Sequence, residues 1–158
     1  LEGGIRVPAI LEWPARIPKP RTTAIPCNTS DFYPTLLELA DLKPPTDMQG
    51  RSMVPLLNGK SPSDWRQSQF YTYWGAPNHY GIRTERYTYL KIAGHPAELF
   101  DRQTDPNEVR NVAGKTENNP VIERLEKELQ QQIREVDISP DELPKSSKDK
   151  EKKKRPRK

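Results

Sequence analysis

The chain has 158 residues, enough for one ordinary domain, with a low apolar fraction of 32% and a high charged fraction of 30%. Its net charge is +4, but residues 145–158 hold nine of the 26 Lys and Arg and only two of the 22 Asp and Glu, so the other residues sum to −3. These numbers exclude a basic folded surface, and a single cysteine, Cys27, excludes an internal disulfide. No apolar run approaches the about 18 residues of a membrane span, and no signal peptide is visible.

The first seventeen residues combine a glycine pair with an apolar run. Gly3 and Gly4 predict a tight turn, because glycine adopts backbone angles closed to other residues and lets another group approach closely. Residues 7–13 are mostly apolar and predict a buried strand that Pro14 ends. A turn of this kind before a buried strand forms the floor of a site in some proteins and is only a turn in others.

The next segment predicts a helix after a Pro-rich connection over residues 18–28. Thr29 or Ser30 can cap the helix, and Asp31 suits the positive end of its dipole. Pro34 is tolerated in the first turn, where a missing N–H costs little. The apolar face follows at spacings of three to four residues, namely Phe32, Leu36, Leu37, Leu39 and Ala40. Residues 43–45, Lys-Pro-Pro, should end this helix.

The middle of the chain predicts a small sheet. Residues 46–68 indicate a surface loop with one helical turn over residues 52–57. Four short strand-like stretches follow, at residues 69–74, 81–84, 87–92 and 98–101. Their tight connections favour an antiparallel meander that is half buried on one face.

The clearest element is a long amphipathic helix. Asn119 can cap it with Pro120 in the first position, and about 16 residues follow. Its apolar side chains recur at helical spacing and should lie across the sheet; they are Ile122, Leu125, Leu129, Ile133 and Val136. From Ser139 onward the composition is Pro, Ser, Lys and Asp, which predicts a disordered tail.

Several stretches of the chain match one enzyme family in order. They are Glu-Gly-Gly-Ile-Arg-Val-Pro at residues 2–8, Trp-Pro at 13–14, residues 31–40, residues 81–90, Glu-Leu-Phe-Asp at 98–101, and residues 105–108 and 111–113. Together they resemble the C-terminal part of a sulfatase of the alkaline-phosphatase-like superfamily. The resemblance implies an α+β fold, in which residues 1–68 end the large α/β domain and residues 69–138 form a C-terminal subdomain of antiparallel sheet packed against a long helix. Residues 139–158 would be a disordered basic tail.

The catalytic groups of such a sulfatase are absent from this sequence. The resemblance implies a formylglycine nucleophile made in a Cys/Ser-x-Pro-x-Arg motif, a divalent cation, usually calcium, and Lys, His and Arg groups on the sulfate. Cys27 lacks the proline and arginine of that motif. A sulfate-binding Lys five residues before Glu2 would lie upstream of Leu1. We therefore expect no catalytic residue and no metal ligand in this chain, and a separate N-terminal catalytic part. Enzymes of this kind are usually exported.

Two groups of residues are candidates for the wall of the pocket. By resemblance, Glu2, Gly3, Gly4 and Arg6 lie beside it, where Arg6 either contacts the site or forms a structural ion pair. His79 and Tyr80 precede the matching stretch at residues 81–90, in a predicted loop. There His79 can hydrogen-bond a sulfated substrate, with Tyr80 or Trp74 stacking on a ring. The alternative for His79 is a surface histidine in a polar loop.

The remaining polar residues indicate structural roles. His95 fits a hairpin turn, Arg83 and Arg86 fit clamps on strand ends, and the tyrosines fit the core of the sheet. Cys27 fits a structural or incidental thiol.

Three functions stay open on the sequence. The first is the C-terminal portion of a sulfatase whose parent hydrolyses esters of sulfated small molecules or carbohydrates, inactive as this piece alone. The second is a non-enzymatic module whose basic residues 152–158 bind polyanions by counterion release. No motif for nucleic acid accompanies these residues, and the alternative for them is a solvated tail that only adds solubility. The third is a phosphoester or phosphonate hydrolase of the same superfamily.

Overall fold

The structure, a computed structural model, describes residues 2–17, 19–75, 77–139 and 142–144. These residues form two compact units, Arg6–Gln67 and the residues from Ser68 onward together with residues 2–5. The helices are α1 (Glu2–Ile5), α2 (Phe32–Leu39), α3 (Val54–Leu57) and α4 (Asn119–Glu135); the strands are β1 (Ser68–Tyr73), β2 (His79–Thr84), β3 (Tyr87–Ile92) and β4 (Glu98–Asp101). The predicted domain limits within a larger enzyme stay a prediction, as does the tail, most of which lies outside the described residues.

The second unit is a four-stranded antiparallel meander with the long helix on one face. The strands follow each other in the order β1-β2-β3-β4. In the register, Tyr73 lies opposite His79, and His79 lies opposite Ile92. The α+β class, the meander and the long helix are therefore confirmed.

The helix and the sheet share one apolar core. Leu125, Leu129 and Ile133 lie on one side of α4 and are at most 5% exposed. They pack against buried residues of β2, β3 and β4, namely Ile82, Tyr89 and Leu99. Each such side chain contributes about 1.5–3 kcal/mol by leaving water, which makes this cluster the main support of the unit.

Part of the opposite face of the sheet is also buried, although Tyr73 on that face is 52% exposed, and this corrects the expectation of a sheet buried on one face only. Side chains alternate between the two faces of a strand. In β3, Tyr89 faces the α4 core, while Thr88 and Leu90 on the other face are 0 and 2% exposed. The hydroxyl of Thr88 donates to Glu108 Oε1 at 2.5 Å. On the other face of β3, the long side chains of Tyr89 and Lys91 reach Glu126 of α4, so both faces of this strand are covered.

A polar network joins the edge of this core to the helix. Glu126 of α4 accepts hydrogen bonds from the Tyr89 hydroxyl at 2.8 Å, Lys91 Nζ at 2.9 Å and Gln130 Nε2 at 3.0 Å. Burial opposes the ionisation of Glu126, but these three hydrogen bonds outweigh it and lower the pKa of that carboxyl. The charge of Glu126 thus helps to hold α4 on β3.

The ends of the helices differ from the predicted ends by a few residues. α4 begins at Asn119 with Asn118, not Asn119, at its N-cap, and Asn118 Nδ2 donates to the Val112 carbonyl instead. α2 follows a 3-10 turn over Thr29–Asp31 and is preceded by Asn28, whose N–H donates to Asp31 Oδ2 at 2.6 Å. Neither hydroxyl of Thr29 or Ser30 acts as the cap that the sequence suggested. α2 ends at Leu39, before Lys-Pro-Pro, because Asp41 takes a left-handed conformation with φ 58°.

The first unit is organised by a buried carboxylate. Asp31 is 0% exposed and accepts hydrogen bonds from Arg66 Nη1 at 2.5 Å and Nη2 at 2.8 Å. It also accepts from the backbone N–H groups of Asn28 and of Arg51, the latter at 2.8 Å. Next to this pair, an apolar cluster of Met53, Leu56 and Trp65 completes the core of the unit.

The N-terminal strand is not observed, and that prediction was wrong for this chain. Residues 6–13 form no strand, and Val7 and Ile10 are 70 and 94% exposed. A strand needs a neighbour for its N–H and C=O groups, and no described residue pairs with this run. The glycines belong to the short helix α1 rather than to a tight turn. No atom lies within 4 Å of a Cβ built on Gly3 or Gly4, so close approach does not require glycine there.

Candidate functional site

His79 lies on strand β2 and not in the predicted loop. Its pairing with Tyr73 on one side and Ile92 on the other places it in the body of the sheet. The polar residues before it suggested a loop, but the ladder of β2 extends two residues beyond the apolar stretch. A backbone held on both sides fixes the position of the imidazole better than a loop would.

One hydrogen bond fixes the tautomer of His79. Nδ1 lies 3.0 Å from the backbone carbonyl oxygen of Pro77. A carbonyl oxygen can only accept, so Nδ1 carries the proton. Nε2 then holds the lone pair of the neutral ring, or a second N–H in the imidazolium. His79 can thus accept a hydrogen bond from a hydroxyl group or donate one to an anionic oxygen through Nε2.

Two tyrosines of β1 flank the imidazole. The ring centroid of Tyr73 lies 4.9 Å from that of His79 at an interplanar angle of 33°, and the centroid of Tyr71 lies 6.2 Å away at 79°. Burial, followed by the negative charges of Glu108 and Glu98, raises the pKa of the Tyr71 phenol, so that this hydroxyl stays neutral. The sequence suggested that the tyrosines belong to the core, and it missed Tyr73 as a neighbour of His79.

Tyr80 lies on the other face of the sheet from His79. Adjacent residues of a strand point to opposite faces, and Tyr80 is half-buried against the core between the sheet and α4. The structure therefore does not bring the two predicted substrate residues together. A role of Tyr80 in substrate binding stays a prediction.

The segment that contains Glu2, Gly3, Gly4 and Arg6 has no defined role in the structure. Glu2, Gly3 and Gly4 lie in α1. Arg6 follows this helix and is exposed, and it is not without an interaction partner. Their predicted place beside a pocket stays a prediction.

The other polar candidates occupy structural positions or the surface. Arg86 pairs with Asp101 through Nη2 at 2.8 Å and lies over the ring of Tyr87, as a clamp between strands. Hydrogen bonding with Arg86 lowers the pKa of Asp101. His95 follows Gly94 in an exposed turn. Cys27 is exposed as a residue, but the partial burial of its thiol, and then the charge of Asp31, raise the pKa of that thiol, which makes it a poor nucleophile.

The described residues offer no set of ligands for a metal ion. In residues 2–17, 19–75, 77–139 and 142–144, no group of three or more His, Cys, Asp and Glu side chains is placed to hold a cation. Within the same part of the chain, no helix has the length and apolar character that crossing a membrane requires.

A family model decides which family this chain is from. The model for the C-terminal part of N-sulphoglucosamine sulphohydrolase matches residues 1–135. The chain belongs to this family. As a sulphohydrolase C-terminal segment, it contains the sheet, the long helix and His79 within the matched residues. The resemblance to a sulfatase is thereby confirmed.

Individual relatives agree with the family model. N-acetylglucosamine-6-O-sulfatase from Bacteroides thetaiotaomicron is 34% identical over an alignment of 152 residues, and the match covers 87% of this chain and 26% of the relative. A protein solved in complex with its substrate, D-glucosamine-2-N,6-O-disulfate, matches with a TM-score of 0.66 and 34% identity over 71% of this chain and 25% of that chain. Phosphonate monoester hydrolase from Silicibacter pomeroyi matches with a TM-score of 0.58 and 28% identity over 66% of this chain and 24% of that chain. The segment thus spans about a quarter of the length of these proteins.

Proposed function

We propose that this chain is the C-terminal portion of a sulfatase whose parent hydrolyses sulfate esters of a carbohydrate. The family match over residues 1–135 carries the proposal. The carbohydrate part is supported by a relative named as an N-acetylglucosamine-6-O-sulfatase and by a solved structure bound to a disulfated glucosamine, each a match at 34% identity. The catalytic groups of the parent would lie in the part of such enzymes that this chain does not span.

In this proposal His79 contacts the substrate. The carbonyl of Pro77 holds Nδ1, and the tyrosine rings restrict rotation of the imidazole. Nε2 can then accept from a sugar hydroxyl, or donate to a sulfate oxygen as the imidazolium. A ring fixed before the substrate arrives loses less entropy on binding, which favours a role in selecting the substrate.

The chemistry of ester cleavage would come from outside the described residues. In the parent, a formylglycine nucleophile would attack sulfur, and a divalent cation, by resemblance calcium, would stabilise charge on the sulfate oxygens. The described residues form no cation site, so in this proposal the cation is bound by residues of the parent outside them. We expect the chain alone to be inactive, with its sheet and helix completing the fold.

A sulfate-release assay tests the proposal. The 158-residue chain and a longer protein that includes the region preceding it are each incubated with D-glucosamine-2-N,6-O-disulfate and calcium. Inorganic sulfate is then measured by ion chromatography. We expect release by the longer protein only. Metal-dependent turnover by the 158-residue chain contradicts the inactive-piece proposal, and no release by a folded longer protein contradicts the sulfatase assignment.

A phosphonate monoester hydrolase is the second candidate, favoured by the match to the Silicibacter pomeroyi enzyme. The longer protein is tested in parallel with a phenyl phosphonate monoester at the same concentration. A higher kcat/KM for the phosphonate than for the sulfate ester assigns the parent to this second class.

A further inference from the structure

Tyr73 presents an exposed aromatic ring next to His79. It ends β1 opposite His79, and about half of the residue, 52%, is accessible to solvent. The adjacent Trp74 is 60% exposed. Burying a large aromatic side chain removes much apolar surface from water. Two exposed aromatic residues next to a polar group therefore indicate a surface that binds a ligand.

Two contacts hold the ring of Tyr73. It lies against the imidazole of His79, at 4.9 Å between centroids. The hydroxyl end of the ring also lies close to Gly75, because a Cβ built on Gly75 would come within 2.3 Å of Tyr73 Cε1 and 2.4 Å of its hydroxyl oxygen. The absence of a side chain at Gly75 is therefore required for this position of the ring.

Tyr71, the other tyrosine of this face, has a different role. Its hydroxyl is buried and has no hydrogen-bond partner among the residues that the structure describes. Tyr71 meets His79 edge-on, as a support below the imidazole. Of the two tyrosines beside His79, Tyr73 is the one classed as exposed.

We propose that Tyr73 is a substrate-binding residue that stacks on the sugar ring of a sulfated glucosamine unit, beside a polar contact from His79. This subsite rests on the proposed function for its ligand. Sugar rings have one face of C–H groups that packs on aromatic rings, while their hydroxyl and sulfate groups need hydrogen-bond donors and acceptors. Tyr73 supplies the aromatic face, and Nε2 of His79 supplies the polar group.

Trp74 gives the experiment an internal reporter. The indole N–H of Trp74 is next in sequence to Tyr73, whereas the indole N–H of Trp65 is bonded to the Pro26 carbonyl at 2.9 Å in a buried cluster. The 15N-labelled 158-residue protein is titrated with D-glucosamine-2-N,6-O-disulfate, and the indole signals of Trp74 and Trp65, two of the three tryptophans of the chain, are followed by NMR. Inorganic sulfate is titrated separately as a probe that has charge but no ring.

Three variants separate stacking from folding. Tyr73→Leu removes the ring, Tyr73→Phe retains it, and Tyr33→Leu removes a tyrosine that is similarly exposed, at 58%, on helix α2. We expect the Trp74 signal to move and the Trp65 signal to stay. We expect Tyr73→Leu to weaken sugar binding about three- to tenfold, the usual worth of one aromatic contact. Tyr73→Phe and Tyr33→Leu should bind as the wild type does, and the response to inorganic sulfate should not change in any variant.

The inference is overturned by equal sugar affinity in Tyr73→Leu and wild type, by equal movement of both indole signals, or by no movement at all. Sulfate release by the longer protein separates this failure from failure of the proposed function. If that protein is a sulfatase whose KM is unchanged by Tyr73→Leu, only the subsite is wrong. If it releases no sulfate while the NMR titration depends on Tyr73, only the sulfatase assignment is wrong.

Discussion

Replacement of Asp31 by Asn should lower the free energy of unfolding of the first unit more than any surface substitution does. The carboxylate is 0% exposed and receives two hydrogen bonds from Arg66. It also accepts hydrogen bonds from the backbone N–H groups of Asn28 and Arg51. Asn keeps the shape but removes the charge, and it turns an NH2 group toward donors that need an acceptor.

The magnitude follows from what remains buried. Removing one partner of a buried ion pair costs about 3–5 kcal/mol, because the other charge stays uncompensated. The side chain of Arg66 is 18% exposed, so water reaches part of its guanidinium and lessens the cost. We therefore expect Asp31→Asn to lower the free energy of unfolding by about 3–4 kcal/mol.

Urea unfolding, followed by fluorescence, measures this loss. Trp65 packs in the apolar cluster of the same unit, and replacing Trp13 and Trp74 by Phe leaves it as the single reporter. The control is Asp64→Asn, because the Asp64 side chain is 79% exposed and its contact with Arg51 is 3.9 Å long. That control should change the unfolding free energy by less than about 0.5 kcal/mol.

A second variant tests the cause of the loss. If an uncompensated Arg66 charge is responsible, the double variant Asp31→Asn, Arg66→Met should be more stable than Asp31→Asn alone. Unfolding curves of Asp31→Asn and Asp64→Asn that coincide would refute the reasoning. The reasoning would also be refuted if the double variant were less stable than both Asp31→Asn and Arg66→Met.

Three further predictions concern the C-terminal unit and the tail. Leu129→Ala should cost about 2–5 kcal/mol of stability by calorimetry, because Leu129 is 0% exposed in the core, and a loss below that range means the core collapses around the cavity. Glu126 has a lowered pKa, so its stabilisation is complete above the ordinary carboxyl pKa of about 4.3 and is lost as pH falls below it. Thermal melts from pH 7 to 3 should thus be less pH-dependent in Glu126→Gln than in Glu123→Gln, an exposed control on the same helix; equal pH dependence would contradict this. Deletion of residues 145–158 should abolish any salt-sensitive retention on heparin, and unchanged retention would reject the tail as a polyanion-binding segment.

Local patterns predicted the C-terminal unit well. Residues 87–92 and 98–101 were expected as strands and are β3 and β4, since aromatic and β-branched residues alternate in the first and two apolar residues lie between short turns in the second. The apolar spacing of residues 122–133 predicted α4 because one stripe must face the sheet. Such signals lie within about ten residues of each other, so the sequence alone contains them.

Long-range partners could not be predicted in the same way. Asp31 was expected to favour the positive end of a helix, but its main partner is Arg66, 35 residues later. Residues 7–13 look like a strand, and only the missing ladder partner decides against it. In both cases, the deciding contact is set by tertiary structure rather than by the local pattern.

The candidate site was predicted only in part. Polar neighbours identified His79, but its place on β2, its bond to Pro77 and the contact with Tyr73 depend on strand register. Tyr80, its neighbour in sequence, faces the α4 core instead. A signal for Tyr73 did exist, since an aromatic residue two positions after Tyr71 lies on the same face of the strand.

The most direct measurement of the central claim is the effect of His79→Ala on sulfate release by the longer protein. His95→Ala is the matched control, because His95 lies in an exposed turn of the same unit. Loss of one hydrogen bond to a charged substrate should lower kcat/KM for D-glucosamine-2-N,6-O-disulfate about 10- to 100-fold, with His95→Ala within about twofold of wild type. Equal kcat/KM for both variants would contradict the claim that His79 contacts a sulfated substrate.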